Sequence, residues 1–317
     1  MSDPFASARS AGVAAAESTE LAEPAQTRAE GARDEGYSRL EAGLDALETA
    51  RSERVPWWRR ALSSVLPPVV AVVTILLIWD LVVWLKLKSA VVMPGPQDVW
   101  NALTSQWGPN DIGSAIYHSV YRGLVGFAAS IVIGTLIGLA IARFRPLRTA
   151  VGPILSGLQN LPSVAWVPIA IIWFGITPAA IYMVVLLGAI PSVAIGLVSG
   201  LDQVPPLYLR VGRNLGARGL SAVRFVLLPA ALPGYVAGLK QGWAFAWRSL
   251  MAAELIAVSP ALGPGIGQVM EFAREQINMP LAFGTIIIIL LIGIGINQLI
   301  FAPLERRLLR TRGLARS

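Results

Sequence analysis

The chain has no cysteine, a single histidine and little charge. Without cysteine it cannot form disulfides, thiolate nucleophiles or cysteine-ligated metal sites. One histidine, His118, cannot build a histidine metal cluster, and we interpret it as a polar residue at a helix end. We find no phosphate-binding Gly-x-x-x-x-Gly-Lys-Ser/Thr loop, no Ser/His/Asp arrangement and no paired carboxylates. The sequence therefore predicts no nucleotide, cofactor or metal site and no enzymatic chemistry on this chain.

Apolar residues dominate what is present. Hydrophobic residues make up 55% of the chain and charged residues only 14%, which is too apolar for an ordinary soluble domain. A helix needs about 20 apolar residues to cross a bilayer. Six segments reach that length, so the sequence predicts an all-α integral membrane protein with six transmembrane helices: 66–86, 120–142, 151–174, 178–200, 231–257 and 282–303.

The third and fourth spans carry further structural signals. Only residues 175–177 separate them, which predicts a tight helical hairpin. Pro162, Pro168 and Pro191 lie inside these two spans. Because proline removes a helical hydrogen bond, bends or local irregularities are expected in both helices.

The N-terminal region differs in composition from the rest. It holds 11 of the 19 acidic residues within its first 53 positions and few large apolar groups. Residues 1–55 are therefore predicted to form an acidic, largely disordered tail, with a short amphipathic helix over 37–52. Residues 56–64 place two tryptophans beside two arginines, a pattern typical of a membrane surface. The transmembrane domain is expected to span 65–310, and 311–317 form a second tail.

Arginine clusters predict the orientation of the chain. They precede the first span and follow the second, fourth and sixth, whereas the loops on the other side carry few positive charges. By the positive-inside rule, both termini and the loop at 201–230 are cytoplasmic. Because topology and membrane lipid account for the positive charge, no nucleic-acid partner is expected.

Small residues recur at every fourth position along the second and fifth spans. Such ladders let helix backbones approach closely in lipid. The two helices are therefore expected to be central, and packing within one subunit is favoured over a dimer interface. The ladders consist of Gly126, Ser130, Gly134, Gly138 and Ala142, and of Gly234, Gly238, Gly242 and Ala246.

The loop at 201–230 is the most distinctive motif. It carries four arginines against the single acid Asp202, and Gly216 lies between two short helical patterns. Its spacing resembles the EAA motif of bacterial ATP-binding-cassette (ABC) importer permeases, which reads Glu-Ala-Ala, three residues, Gly, nine residues, Ile, one residue, Leu-Pro. Gly216, Val226, Leu228 and Pro229 fall in that register. The chain departs from the motif at its beginning, where Arg210, Val211 and Gly212 replace Glu-Ala-Ala.

Other segments resemble the nitrate, sulfonate and taurine branch of these permeases. They are Leu161 to Pro168, Trp173 to Gly175, Leu228 to Gly234, Ala246-Trp247 with Ala253 to Leu255, and Met93 to Pro96 with Val99. The resemblance covers about 65–310. It implies the type I ABC importer permease fold in a bacterial cytoplasmic (inner) membrane.

The resemblance also implies partners. These are a second copy of the chain, two ATPase subunits that bind ATP and Mg on the cytoplasmic side, and an extracytoplasmic solute-binding protein or lipoprotein facing loops 89–119 and 258–281. The loop is expected to dock in a groove of the ATPase, with an amphipathic hairpin on anionic lipid as the alternative. Its expected coupling residues are Arg210, Val211, Gly212, Arg213, Leu215, Gly216, Ala217, Leu228 and Pro229.

Charged residues inside spans are costly and therefore mark candidate pathways. Arg248 lies near the middle of the fifth span between Trp243 and Trp247, and we expect it to supply positive potential for an anion. The alternative is a hydrogen bond to an exposed carbonyl or a buried ion pair with Asp80 or Glu254. Three more residues are pathway candidates, two of them with ordinary interhelical hydrogen bonding as the alternative: Glu254, and Asn160 and Ser163.

Three functions are compatible with these features. The first is the permease subunit of an ATP-driven importer for a small anionic solute, such as an aliphatic sulfonate, taurine or nitrate; bicarbonate or a vitamin precursor would fit the same family. The second is an ion-coupled secondary carrier, which usually shows internal repeats and midplane carboxylates; no clear repeat is present. The third is a membrane scaffold with a recruiting acidic tail, but six spans with proline bends exceed what anchoring needs. The first is favoured.

Overall fold

A computed structural model describes residue 43 and residues 57–87, 89, 91–108, 112–257 and 263–310. The predicted acidic tail with its amphipathic helix, apart from Gly43, and the tail at 311–317 lie outside the described residues. The chain divides into two units, Met1–Thr74 and Ile75–Ser317. In the first unit, the described residues from 57 onward form the beginning of the first long helix, on which Leu66, Val69 and Val70 are exposed.

The described residues are helical and contain no strand. Short connecting segments are a 3-10 turn at Ser163–Ala165, a helical turn at Leu220–Ala222 and π-helical segments at Val223–Leu227 and Asn297–Phe301. The helices are α1 Trp57–Trp84, α2 Pro96–Ser105, α3 Ile112–Arg143, α4 Arg145–Asn160, α5 Trp166–Phe174, α6 Pro178–Asp202, α7 Pro206–Asn214, α8 Leu228–Ile256, α9 Ile266–Glu275, α10 Met279–Ile296 and α11 Ala302–Arg310.

Five stretches in the described residues are long and apolar enough to cross a membrane. They lie in α1, α3, α6, α8 with its π-helical lead, and α10 continued through α11. The third predicted span is broken: α4 and the segment Ser163–Phe174 are bent by 98° relative to each other, and they make a sixth span only if taken together. The predicted bend at Pro162 is confirmed, because Leu161 before it is extended (φ −74°, ψ 131°), as residues preceding proline prefer. By contrast, α6 stays helical through Pro191.

The hairpin predicted between the third and fourth spans is confirmed. Helix α5 ends at Phe174 and α6 begins at Pro178. Gly175 turns the chain with φ +67°, a conformation that favours glycine, and its N–H donates to the carbonyl of Ile171 at 2.8 Å.

Both small-residue ladders face the same helix, α6. A Cβ added at Gly134 of α3 would lie 2.8 Å from Val193 Cβ. Helix α6 also meets α8, and at two positions glycine lies against glycine: a Cβ at Gly196 would lie 2.4 Å from Gly238 Cα, and one at Gly234 would lie 2.5 Å from Gly200 Cα. The ladders therefore pack within one chain, as predicted. The expectation that α3 and α8 are the central helices needs refinement, because α6 lies between them.

Candidate coupling loop and translocation lane

The loop between α6 and α8 begins with α7 and turns at Gly216. Pro206 occupies the first turn of α7, where its missing N–H costs nothing. At the other end Ala217 N donates to Gly212 O at 2.8 Å and Gly216 N to Arg213 O at 3.0 Å. With Gly216 at φ +88°, these bonds form a Schellman motif, which satisfies the last carbonyls of the helix. Gly216 therefore makes the bend that its position between two helical patterns predicts.

A second turn sends the chain back towards the membrane. Gly219 has φ +56°, and Ser221 Oγ accepts from Arg218 N at 2.9 Å. The returning π-helical segment packs on α7 at Gly212, where a Cβ would lie 2.8 Å from Val226 Cγ2. The third residue of the altered motif thus allows close contact between the two arms of the loop.

The loop surface combines positive charge with exposed apolar groups. Within the described part of the chain, none of its four arginine side chains forms an ion pair. Leu207, Val211 and Leu215 follow one another at helical spacing along α7, and Leu215 is 82% exposed. A recess of about 830 Å³ lies beside them and is also lined by Phe225. An exposed apolar patch with a charged rim is typical of a protein-interaction surface. The four arginines are Arg210, Arg213, Arg218 and Arg224, and all are exposed, as are Leu228 and Pro229.

An ion pair fastens the base of the loop. Asp202, the last residue of α6, accepts two hydrogen bonds from the Arg148 guanidinium of α4, at 2.9 and 2.5 Å. Paired, parallel bonds of this kind give geometric definition as well as energy. The end of α6 is therefore held to α4 where the chain enters the loop.

Three predicted pathway residues come together in a groove between α8 and α10. Arg248, Trp243 and Trp247 line this groove, which has a volume of about 750 Å³. Arg248 is exposed, and its guanidinium carbon lies 5.0 Å from the centre of the Phe245 ring, within the range of a cation–π interaction. The two indole rings stack with centroids 5.9 Å apart and are almost completely buried.

Glu254 lies elsewhere, in a buried network that joins α3, α8 and α9. Its carboxylate accepts from Arg122 Nη1 at 3.0 Å, from Ser119 Oγ at 2.7 Å and from Gly267 N at 3.2 Å. The side chain is fully buried. Glu254 therefore pairs with Arg122, and in the described residues Arg248 pairs with neither Glu254 nor Asp80. Arg122 was not among the predicted functional residues, although it is an arginine inside the predicted span 120–142 and a charge there indicates a buried partner or a functional role.

Asn160 and Ser163 flank the break between α4 and α5. Asn160 is exposed and Ser163 is partly buried. The neighbouring Gln159 was missed, and its Nε2 donates to Ser192 Oγ of α6 at 2.8 Å. A recess of about 410 Å³ opens there, which we call the glutamine chamber; its polar lining consists of Gln159, Ser192, Ser199, Gln203 and Gln241.

The spacing of the α6 polar residues could have revealed the chamber. Ser192, Ser199 and Gln203 stand seven and then four residues apart, so they share one face of the helix. Their side chains are neutral, as are those from the other walls.

The three recesses are neighbours along α8. Ala237 and Gln241 line both the α8–α10 groove and the glutamine chamber, and Gln203 and Gly234 line both the chamber and the recess beside the loop. We call this row of neighbouring recesses, from Arg248 to the loop, the lane. None of the residues lining this lane is acidic.

Helix α9 borders a separate recess of about 430 Å³ lined by Phe272 and Gln276, among others. On α9, Arg274 Nε donates to Glu271 Oε2 at 2.9 Å. This hydrogen bond holds the pKa of the Glu271 carboxyl below its ordinary value. The pair stays ionised at neutral pH, and whatever stability it contributes is lost as the pH falls through that lowered pKa.

Comparison with known proteins decides the family. Residues 130–309 match the family described as "Binding-protein-dependent transport system inner membrane component". The chain belongs to this family. It is the permease of an ABC importer, a membrane component of a transport system and not its catalyst.

The relatives and a solved structure agree with this assignment. The permease is 28% identical to the taurine transport system permease protein TauC of Escherichia coli, over 80% of this chain and 94% of the relative. It is 29% identical to the nitrate import permease protein NrtB of Synechocystis sp., over 73% and 84%. A chain of the MetNI methionine ABC transporter, solved in inward-facing conformations, matches with a TM-score of 0.53 at 20% identity, over 62% of this permease and 94% of that chain. The last match supports the fold.

Proposed function

We propose that this permease carries a small anionic solute, of the aliphatic sulfonate, taurine or nitrate kind, from a solute-binding protein into the cytoplasm. It acts as a homodimer, driven by two ATPase subunits. The lane along α8 carries this proposal. Arg248 lies at one end of it, neutral hydrogen-bonding side chains lie between Arg248 and the loop, and no lining residue is acidic. The names of the two relatives, for taurine and for nitrate, support the same solute class.

Membrane energetics explains why the lane faces water. Arg248 is exposed on α8, within a segment apolar enough to span the bilayer. An arginine facing lipid at the centre of a helix costs about 2.5–3.5 kcal/mol by insertion scales. Exposed Gln241 on the same helix adds a further penalty. This face of α8 therefore lines an aqueous passage, with the second copy closing its open side.

The loop is the proposed entry point of ATP-driven motion. A groove on the ATPase subunit suits this surface, because it pairs with the exposed arginines and covers the exposed apolar side chains along α7. With the loop and both termini in the cytoplasm, the lane runs from mid-membrane towards the ATPase. Arg210 occupies the position of the usual glutamate, so we expect an acidic partner opposite it.

The test is transport by the permease reconstituted in liposomes with its ATPase and binding protein. Arg248→Gln should lower the uptake of radiolabelled taurine or nitrate by at least about tenfold. A hydrogen bond to a charged group contributes about 1.5–3 kcal/mol, and 1.4 kcal/mol corresponds to tenfold.

A matched control is Arg143→Gln. Arg143 also lies over an adjacent phenylalanine, at 5.6 Å from the ring of Phe144, but does not line the lane. If uptake and stimulated ATP hydrolysis of folded Arg248→Gln protein equalled those of the wild type, the proposed role of Arg248 would be wrong.

A further inference from the structure

A second cation, Lys240 of α8, lines the lane besides Arg248. The other residues that line the three recesses are uncharged. Lys240 lies near the middle of the 34-residue segment Val223–Ile256, which is apolar enough to span the membrane. It is eight residues nearer the loop than Arg248, or about 12 Å along the helix axis at 1.5 Å per residue. A charge inside a span is costly, so Lys240 requires an explanation.

The counter-charge of Lys240 comes from outside the lane. Its Nζ lies 3.4 Å from Oε2 of Glu305 on α11, and Glu305 lines none of the three recesses. Arg306 and Arg307 follow Glu305 directly on α11, but residues one and two positions apart on a helix do not face each other. The Glu305 carboxylate therefore reaches across to α8 and neutralises a cation of the lane.

This ion pair is accessible and loose. The side chains of Lys240 and Glu305 are 42% and 48% exposed, and exposed pairs contribute little to stability. Their separation also exceeds the distance of about 2.7–2.9 Å that is typical of charge-assisted hydrogen bonds. Helix α8 is fastened to α10 independently, because Trp247 Nε1 donates to Ile289 O at 3.2 Å. The pair is therefore not needed to hold these helices together, and Lys240 is free to exchange Glu305 for another anion.

We propose that Lys240 is a second binding position for the transported anion, nearer the loop than Arg248, and that Glu305 occupies Lys240 while the lane is empty. The oxoanion of the solute displaces the Glu305 carboxylate from the ammonium group, and the carboxylate returns when the solute leaves. Lys240 thus keeps a counter-charge throughout, which avoids an unpaired cation within the membrane. The inference rests on the proposed transport function and adds to it a residue that receives the anion after Arg248.

The experiment uses the full complex of permease, ATPase and binding protein in liposomes. The probes are taurine, ethanesulfonate and nitrate. Two readouts are taken for each variant: solute imported per ATP hydrolysed, which reports passage through the permease, and the melting temperature of the complex, which reports folding.

Removing the two partners separately should have unequal effects. Lys240→Gln should lower uptake per ATP about fivefold or more, because a hydrogen bond from a charged donor to the anion is lost. Lys240→Arg keeps the charge, and Glu305→Gln removes only the competing carboxylate, so both should stay within about twofold of the wild type. A purely structural ion pair predicts similar losses from Lys240→Gln and Glu305→Gln.

Exchanging the two charges separates binding from structure. Lys240→Glu combined with Glu305→Lys re-forms an ion pair between α8 and α11 but places a carboxylate in the lane. The melting temperature should return to that of the wild type, whereas uptake per ATP should be no higher than in Lys240→Gln. A purely structural role predicts that the exchange restores both.

The matched control is the pair of Arg148 and Asp202, whose side chains are 50% and 46% exposed and line none of the three recesses. Arg148→Gln and Asp202→Asn should resemble each other in both readouts. Arg148→Asp combined with Asp202→Arg should restore uptake per ATP, as expected for a pair that only fastens helices.

Equal losses from Lys240→Gln and Glu305→Gln, or wild-type uptake by Lys240→Gln or by the charge-exchanged complex, would overturn the inference and leave the proposed function standing. If the wild-type complex shows binding-protein-stimulated ATP hydrolysis but imports none of the three probes, the proposed solute class is wrong and the anion position at Lys240 is wrong with it. If it shows no such stimulation, the proposed transport function itself fails.

Discussion

Glu254 of α8 connects three helices through one buried carboxylate. Its carboxylate collects bonds from α3 and from the N-terminus of α9, where Gly267 N donates to it. A negative charge is favourable at a helix N-terminus, where backbone N–H groups have no partner within the helix. Gly265 and Gly267 leave room for this carboxylate, because a Cβ at either would lie 2.7 Å from a Glu254 carbon.

We expect Glu254→Gln to destabilise the permease by about 3–5 kcal/mol. The change keeps the side-chain shape but removes the charge opposite the buried Arg122 guanidinium, and breaking a buried pair carries a penalty of this size. The measurement is chemical unfolding of the purified protein in detergent. Glu271→Gln, which removes the partner of the exposed Arg274 guanidinium, should cost about 1 kcal/mol or less. Similar losses in both variants would contradict a stabilising role for the buried network.

The sequence could identify Glu254 and Arg248 as charges inside a span, but not their partners. Arg122 lies 132 positions before Glu254, and the two meet only because α3 packs beside α8. Arg248 and Glu254 are six residues apart, so they point to different sides of one helix. This separation argues against an ion pair between them, whereas the actual partner of Glu254 depends on how α3 packs against α8.

Among the elements, the loop depends on the contact between α7 and the returning π-helical segment. Gly212 is buried against Val226, although it stands where the family motif has alanine. A methyl group there would push the two arms apart by a distance that a packed interface does not readily absorb. The geometry of the loop therefore depends on this glycine and on the bend at Gly216.

Gly212→Ala should uncouple the permease, lowering solute uptake per ATP several-fold. Adding Val226→Ala makes room for the new methyl group and should restore coupling. Gly157→Ala in α4 is the control. No atom lies within 4 Å of a Cβ there, so alanine should raise stability by about 0.5–1 kcal/mol and leave uptake unchanged. Reconstituted transport and thermal unfolding measure both effects, and a Gly212→Ala protein that behaves like Gly157→Ala would refute the contact's role.

The elements were predictable to different degrees. The long apolar helices and the bend at Gly216 follow from hydropathy and from glycine, which are local signals. The 98° angle between α4 and the segment after it does not. Pro162 predicts that a bend occurs, but the hydrogen bond from Gln159 to Ser192, which contributes to placing α4, depends on tertiary packing. The glutamine chamber was missed for the same reason.

For the whole molecule, the absence of cysteine permits a direct test of orientation. Asn214→Cys in the loop and Gln276→Cys after α9 are single exposed labels on opposite sides of the membrane in the proposed topology. A membrane-impermeant maleimide should label the 276 variant in spheroplasts and the 214 variant only in inverted vesicles. The opposite pattern would place the loop outside the cell and exclude contact with an intracellular ATPase.

Direct backbone contact between α6 and α8 governs how force can spread through the permease. At Gly196–Gly238 and Gly200–Gly234 no side chain separates the two backbones, so no rotamer change there can absorb a displacement of one helix towards the other. The loop joins the end of one helix to the start of the other. We therefore expect a displacement of the loop to move α6 and α8 together as a rigid body. If ATP-driven motion enters at the loop as proposed, we expect the passage beside α8 to widen through displacement of α4 or α10 relative to this helix pair, and not by separation of α6 from α8.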